Sequence, residues 1–495
     1  MIAINKNRKQ ITLGGEAIRL TTSKIITMAI TMATVMLLSR FRTFEEYGTY
    51  SQLLLIINLF TTLLMLGLPA SINFFLARAE TQAEKKRFLS VYYTLSTILS
   101  FIIGFLLVLA VPFIEAYFHN SLIGKFYYFL AVFPWSSIIG SSIENILVVY
   151  KKTSYLMQYR VIHSFAILAT VVVIQWLELG FSEYMMAYIV VNSLFALSVY
   201  VIASKLTGGM DLLLDKVLIL EIFSFSIPIG LASVIGTLNT EIDKLLIGYL
   251  MNTEQMAIYT NAAKELPLTI IASSITAVLL PQAVRMIKAN KSQEAVRLWG
   301  YASELSLIVI AVFVAGVFTY AEDVMTILYS AKYLPGVTVF RIYTLNLLLR
   351  ITYFGMVLNA YGKTKIIFWC SVLSLILNMM LNPLFYWLFG MIGPAVATFL
   401  AILLIQQLQL KLTAVVTQIS FWKVFPWKHS VQILLINICF AFVFYVIKHL
   451  LPLDFYVGSV FESIVLGSVW FLIYMLMMRK KMLFAWHKLN AEGSI

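Results

Sequence analysis

Charge is scarce in this chain. Only 12% of its 495 residues are Asp, Glu, Lys or Arg, while 61% are hydrophobic. Soluble domains run about 25% charged and 45–50% apolar. A water-soluble fold of this composition could not cover its own surface, so that class is excluded. Cysteine is rarer still: Cys370 and Cys439 are the two, both within apolar runs, which argues against a disulfide framework or a thiolate metal site. The five histidines (His119, His163, His429, His449, His487) stand singly, with no HExxH spacing. No metal and no cofactor are therefore expected. No GxSxG nucleophile turn occurs. "GKT" at 362–364 ends like a phosphate-binding loop, but the place of that motif's first glycine is Val357, inside an apolar run without βαβ context. ATP binding is excluded on that ground. Polar segments never exceed about 25 residues, which leaves no room for an extramembrane catalytic domain. The chain is not expected to be an enzyme.

What it has instead is apolar runs of about 20 residues from end to end, long enough to cross about 30 Å of hydrocarbon as helices. Alternating segments of about 10 residues, the mark of a membrane β-barrel, are not seen. The fold class is an all-α polytopic membrane protein. About 14 spans are predicted, near 20–39, 49–68, 91–111, 126–149, 161–178, 184–204, 217–240, 256–281, 301–320, 337–360, 366–388, 391–412, 430–448 and 458–478. The first follows a charged tail and lacks a small-residue cleavage site, so it reads as a retained helix. With the N-terminus placed inside, about 27 of the 36 Lys and Arg fall on the cytoplasmic side, Lys6, Arg8, Lys9, Lys151, Lys152 and Lys480 among them. The net charge of +13 is then a topology signal with both termini cytoplasmic, and no nucleic-acid partner is implied.

The spans read as two copies of one unit. "YKKT" at 150–153 and "YGKT" at 361–364 end matching apolar runs 211 residues apart. Tyr50 and Tyr259 match at an offset of 209, Pro69 and Pro281, each closing a span, at 212, and the segments 176–190 and 387–401 at 211. An even number of spans separates the copies, so they enter the membrane in the same direction. This predicts two six-helix lobes, 1–210 and 211–415, related by an axis along the membrane normal, with 416–495 as a two-helix appendix. Such lobes suit alternating access to a midplane site.

Ionisable groups within a span cost at least about 2.5–3.5 kcal/mol each, so each needs a reason. Glu144 falls in span four, Lys264 and Glu265 in span eight, and Arg341 and Arg350 in span ten. Glu241, Asp243 and Lys244 crown a stripe of Ser226, Gly230, Ser233 and Thr237 on span seven, while Arg40 and Arg42 end span one. Span one also offers Lys24, Thr27, Thr31 and Thr34, span two Ser51, Asn58 and Thr62, and span ten places Asn346 four residues before Arg350. Small and polar residues also serve helix packing, Lys264 and Glu265 can neutralise each other, and Arg341 can reach the interface. Two arginines without partners in one span are hard to explain by packing, so a hydrated lumen is the expectation.

"NTEIDKLLIGYLMNTEQMAIYTNAAKELPLTIIASSITAVLLPQAVRM" at 239–286, "YGKTKIIFWCSVLSLILNMMLNPLFYWLFGMIGPAVATF" at 361–399 and "LGLPASINFFLAR" at 66–78 resemble the Wzx-type polysaccharide flippases of the multidrug/oligosaccharidyl-lipid/polysaccharide (MOP) exporter superfamily. The chain departs from that pattern at Ala257, where the first copy has Gly48, and at Pro394. The resemblance implies transfer of an undecaprenyl-pyrophosphate-linked oligosaccharide from the inner to the outer leaflet of a bacterial cell membrane. It further implies that Arg350 and Lys264, with Arg341, attract the pyrophosphate, that Lys244, Arg40 and Arg42 act nearer the outer face, and that Asn58, Asn261 and Asn346 contact sugars. Asp243, Glu265, Glu241 and Glu144 are the carboxylates for a coupling proton or sodium ion. Membrane lipids and polysaccharide polymerase machinery are the other implied partners. A multidrug antiporter on the same scaffold is the alternative, followed by a membrane polymerase or ligase.

Overall fold

The computed structural model describes residues 13–450 and 458–493. Lys6, Arg8 and Lys9, counted above as cytoplasmic, lie outside them. The described residues are mostly helical, without a strand. The principal helices are α1 (Leu13–Phe41), α2 (Phe44–Met65), α3 (Gln82–Leu109), α4 (Tyr127–Val149), α5 (Thr153–Trp176), α6 (Phe181–Thr207), α7 (Lys216–Leu250), α8 (Thr253–Ala262) and α9 (Thr269–Lys288). They continue as α10 (Ser292–Thr319), α11 (Ala321–Tyr329), α12 (Val337–Leu349), α13 (Met356–Ala360), α14 (Thr364–Phe389), α15 (Gly393–Thr417), α16 (Trp427–Leu450) and α17 (Ser459–Gly493).

Among the described residues, twelve helical stretches are long and apolar enough to cross a membrane. Eleven are single helices; the twelfth, Thr364–Thr417, is the α14–α15 hairpin. The tenth expected span, 337–360, is not among these stretches because its helix breaks: α12 stops at Leu349, and α13 resumes only at Met356. The eighth is also broken. Instead of one helix over 256–281, α8 ends at Ala262 and α9 begins at Thr269. Pro267 accounts for this, since it lacks an N–H and pushes its predecessor out of the helical region. Pro281, expected to close that span, lies inside α9.

The chain forms two compact units: 1–238 with 252–257, and 239–251 with 258–495. The boundary cuts through α7, so residues 211–238, expected with the second lobe, belong to the first unit.

In the first unit, α2 begins with a capping box in which Glu46 N–H donates to Thr43 Oγ1 (3.2 Å) and Thr43 N–H to Glu46 Oε2 (3.0 Å). A cap of this kind is worth about 1 kcal/mol. At the other end of α2, Leu66 and Gly67 both take positive φ (41° and 75°), and Gly230 of α7 packs against that turn. A Cβ on Gly230 would lie 2.1 Å from the Leu66 carbonyl carbon. The expected polar stripe of α7 is therefore a packing surface at Gly230. The segment leading into α7 is tied down by ion pairs, Lys86–Asp211 (2.8 Å) and Arg87–Asp215 (Nε–Oδ2 2.8 Å). Asp215 also accepts the first N–H groups of α7, from Val217 and Leu218. The Arg87 bond, followed by the Leu218 N–H, holds the Asp215 carboxyl below its ordinary value.

The second unit packs around α10, whose Trp299, Ala302, Ile308 and Val312 are buried. The helices expected as an appendix belong to this core. Trp470 and Tyr474 of α17 are fully buried, Trp470 stacks on Phe444 of α16 (5.4 Å), and Asn437 donates to Tyr474 Oη (3.1 Å).

The paired tetrapeptides adopt one turn. In the first, the N–H groups of Tyr150, Lys151 and Lys152 donate to the carbonyls of Ile146, Val148 and Leu147; in the second, Tyr361, Gly362 and Lys363 donate to Val357, Asn359 and Leu358. Lys151 (φ 53°) and Gly362 (φ 71°) occupy the left-handed position. The same turn forms at 177–179 and 289–291, so it is a general helix-ending solution here.

Candidate functional site

The two helix breaks of the second unit carry the charges expected at depth, and they meet. Lys264 and Glu265 lie in the 263–268 break, and Arg350 ends α12. Arg350 Nη2 pairs with Glu265 Oε1 at 2.9 Å, with their side chains 37% and 25% exposed. A break frees backbone groups that no lipid can satisfy. Here the Leu349 carbonyl accepts from Gln406 Nε2 of α15. The indole of Trp299 donates to Thr352 Oγ1 (2.8 Å), fixing the strand of chain after Arg350. Arg350 opens onto a cavity of about 500 Å³ whose polar lining includes Ser273, Thr276, Thr352, Gln406 and Gln409.

On α7, Asp243 is buried and accepts from two phenols, Tyr259 of α8 (2.8 Å) and Tyr343 of α12. Lys244 pairs with Glu241 (2.7 Å) and also donates to the Thr240 carbonyl. Lys264 is exposed and has no ion-pair partner among the described residues. The centre thus gathers Glu241, Asp243 and Glu265 against Lys244, Lys264 and Arg350, a formally neutral set. Each cation but Lys264 has a carboxylate at hand among the described residues.

Other expected residues fall elsewhere. Arg341 pairs with Glu322 (3.2 Å), donates to the Phe318 carbonyl and sits over the Phe318 ring, which makes it a clamp at the α10–α11 corner. Neither arginine of the tenth span lacks a partner, so the argument from two such arginines fails. Asn346 is fully buried in α12, with no hydrogen-bond partner on either amide atom among the described residues. Asn261 is buried beside Tyr333. Asn58 is exposed on α2. Arg42 is buried and donates to the Leu179 carbonyl (3.2 Å), bracing the α5–α6 turn; Arg40 is exposed at the end of α1. The hydroxyls of Thr34 and Ser51 bond their own helix backbones four residues back, which marks packing.

Glu144 belongs to a separate centre in the first unit. It pairs with Arg160 of α5 and with Lys24 of α1 (3.7 Å). Sequence reasoning missed Arg160 because it started span five at 161, whereas α5 begins at Thr153. It also missed Tyr259 and Tyr343 as partners of Asp243. A tyrosine in an apolar run looks like an interface anchor, although Tyr259 stood out as a repeat position.

The model of a family described as polysaccharide biosynthesis protein matches residues 37–338, more than half of the chain. A probable low-salt glycan biosynthesis flippase, Agl15 of Haloferax volcanii, is 22% identical over 184 residues, covering 37% of this chain and 39% of that protein. The solved lipid II flippase MurJ in an inward closed conformation aligns with a TM-score of 0.74 at 16% identity, over 94% of this chain and 99% of its own. An inward-facing multidrug resistance MATE transporter of the MOP superfamily aligns at 0.62 and 15% identity, over 82% and 99%. At these identities the structures establish the fold. With its apolar helices and its family match together, this chain belongs to the polysaccharide biosynthesis protein family and is a multi-pass membrane protein.

Proposed function

We propose that this protein is a flippase that carries a polyprenyl-pyrophosphate-linked oligosaccharide from the inner to the outer leaflet of a bacterial cytoplasmic membrane. Both termini face the cytoplasm, as the Lys and Arg distribution implies. The observation that carries the reading is the Arg350–Glu265 pair, formed where two broken helices meet beside a cavity of about 500 Å³. A pyrophosphate cannot cross hydrocarbon unaided, and Arg is shaped to grip its oxygens. In this reading Glu265 is the resident anion that the pyrophosphate displaces from Arg350, and Lys264 supplies a second charge. Asn346 and Asn261 offer amides to sugars, while the polyprenyl tail stays in lipid. Displacement leaves Glu265 without its cation, and uptake of a proton or sodium ion there restores balance, which couples transport to an ion gradient. Alternating exposure of the centre to the two leaflets completes the cycle, and the polysaccharide polymerase machinery receives the product.

The neutral charge balance of the centre also favours a second reading, an antiporter of organic cations that pairs its cargo with Glu265 or Asp243. Depletion of the protein followed by leaflet-resolved analysis of lipid-linked intermediates separates the two. The flippase reading expects completed oligosaccharide-lipid trapped on the cytoplasmic side. Normal outer-leaflet delivery in a strain without a substitute transporter overturns it. Arg350→Ala abolishes export with membrane insertion intact, and Arg350→Lys restores part of it.

A further inference from the structure

The first unit holds a second polar cavity, of about 280 Å³, whose residues the proposed cycle does not use. It is large against the roughly 30 Å³ share of one water. Its charged lining is Glu144 of α4 and Arg160 of α5, with His163 of α5 and the hydroxyls of Thr27, Ser137 and Ser164. Glu144 is gripped from two sides, by Arg160 and by Lys24 (3.7 Å). Only one guanidinium nitrogen of Arg160 is used that way. Its Nη1 is buried and meets no acceptor among the described residues.

Two cations and one carboxylate leave a formal excess of one positive charge around Glu144. His163 Nε2 is within 3.1 Å of Asn192 Oδ1 of α6, which fixes its ring at the cavity wall. The other groups near Glu144 are neutral. Tyr159 of α5 donates to the Phe195 carbonyl, and Asn73 bonds Asn145 on the neighbouring position of α4. Tyr93 of α3 bonds Ser142 of α4.

We infer that this cavity is a binding site for a phosphate-type oxyanion taken up together with a proton, in which Arg160 grips the anion, Lys24 adds positive charge beside Glu144, and Glu144 accepts the proton. Glu144 itself occupies the guanidinium. An entering oxyanion takes Nη1 and then displaces the carboxylate, and the displaced carboxylate, left beside a second anion, binds a proton. Anion and proton therefore favour each other reciprocally, and the site changes its net charge by less than the anion carries. The inference does not depend on the flippase reading. A lipid phosphate and a free phosphate share this chemistry.

The test uses the purified full chain and titrates it calorimetrically with sulfate, which stays a dianion between pH 5 and pH 8. Buffers of different ionisation enthalpy reveal any proton taken up. Sulfate affinity is expected to fall as pH rises, approaching tenfold per pH unit where one whole proton accompanies each anion. Glu144→Gln, isosteric with the protonated acid, should bind sulfate tightly with that slope removed. Arg160→Ala should lose binding at this site, and Arg160→Lys should recover part of it. A melting curve for each variant separates loss of the site from loss of the fold. Titration with inorganic pyrophosphate against nanodiscs containing phosphatidic acid then distinguishes a free ligand from a lipid headgroup. The inference is overturned by sulfate binding that ignores Arg160→Ala, by absence of binding to the folded wild type, or by a pH slope that survives Glu144→Gln and vanishes in His163→Gln.

Discussion

An exchangeable ion pair has to be weak as a fastener and strong as a ligand, and this can be measured on Arg350 and Glu265. Two unit charges about 4 Å apart attract by about 4 kcal/mol at an effective dielectric of 20. With side chains 37% and 25% exposed, much of that is screened and offset by desolvation, leaving a net coupling of about 1 kcal/mol and no more than about 2. A double-mutant cycle with Arg350→Ala, Glu265→Gln and the double variant isolates the number, read as unfolding free energy in mixed micelles. Loss of the arginine from bound pyrophosphate removes charge-assisted hydrogen bonds worth about 1.5–3 kcal/mol, a drop of roughly 10- to 150-fold in affinity. The expected pattern is small coupling in stability and collapse of transport. A coupling above about 3 kcal/mol would identify a sealed structural lock, and the exchange argument would fail.

Other sites make simpler predictions. Gly230→Ala forces a Cβ onto the Leu66 backbone, and overpacking of this kind costs about 1–3 kcal/mol; an unchanged melting temperature contradicts the crossing. Asn346→Leu removes a fully buried amide that has no partner among the described residues, so thermal stability should hold or rise while export falls. The Asp215 carboxyl is held below its ordinary value of 3.8, so its stabilisation is present above that pH and is lost as pH falls through the depressed value. Asp215→Asn should therefore lower the melting temperature at pH 7 and narrow the gap to wild type near pH 2. Thr43→Ala should cost about 1 kcal/mol by opening the α2 capping box.

Hydropathy made the helices legible, because each apolar run of about 20 residues had one way to satisfy its backbone in lipid. It could not reveal the breaks. A window average does not respond to a few non-helical residues inside an apolar run, so 256–281 and 337–360 read as continuous. Pro267 beside Lys264 and Glu265 was a usable local signal for the first. The second has no proline: Ile351 and Thr352 are β-branched, and Gly355 follows them. The place of Arg350 and Glu265 within apolar runs was readable from sequence, but their pairing was not, since 85 residues separate them and only the tertiary fold closes that gap. Arg341 illustrates the reverse error. It was singled out for lying in an apolar run, yet Glu322 lies one helix corner away.

The features that recur at the repeat offset concern the backbone. The capping box of Thr43 and Glu46 returns as Asn252 and Gln255 (2.8 Å and 3.4 Å), each displaced by 209 residues, as Tyr259 is from Tyr50. The turns after Val149 and Ala360 share the three hydrogen bonds donated by their N–H groups at 211. The charges do not follow. Displaced by 211, Glu144 falls on Gly355, Arg160 on Ser371, and Arg350 back on Ile139; displaced by 209, Glu265 falls back on Ile56. Caps and turns are constrained by geometry alone, so one solution serves wherever a helix must start or stop. A buried ion pair is retained only where it performs a task that repays its desolvation. Three glutamate–arginine pairs, Glu144–Arg160 in the first unit and Glu265–Arg350 and Glu322–Arg341 in the second, thus stand at positions the repeat does not relate, and the first two border separate cavities; in the proposed cycle that division lets one centre hold the cargo while the other answers to an ion or counter-ligand.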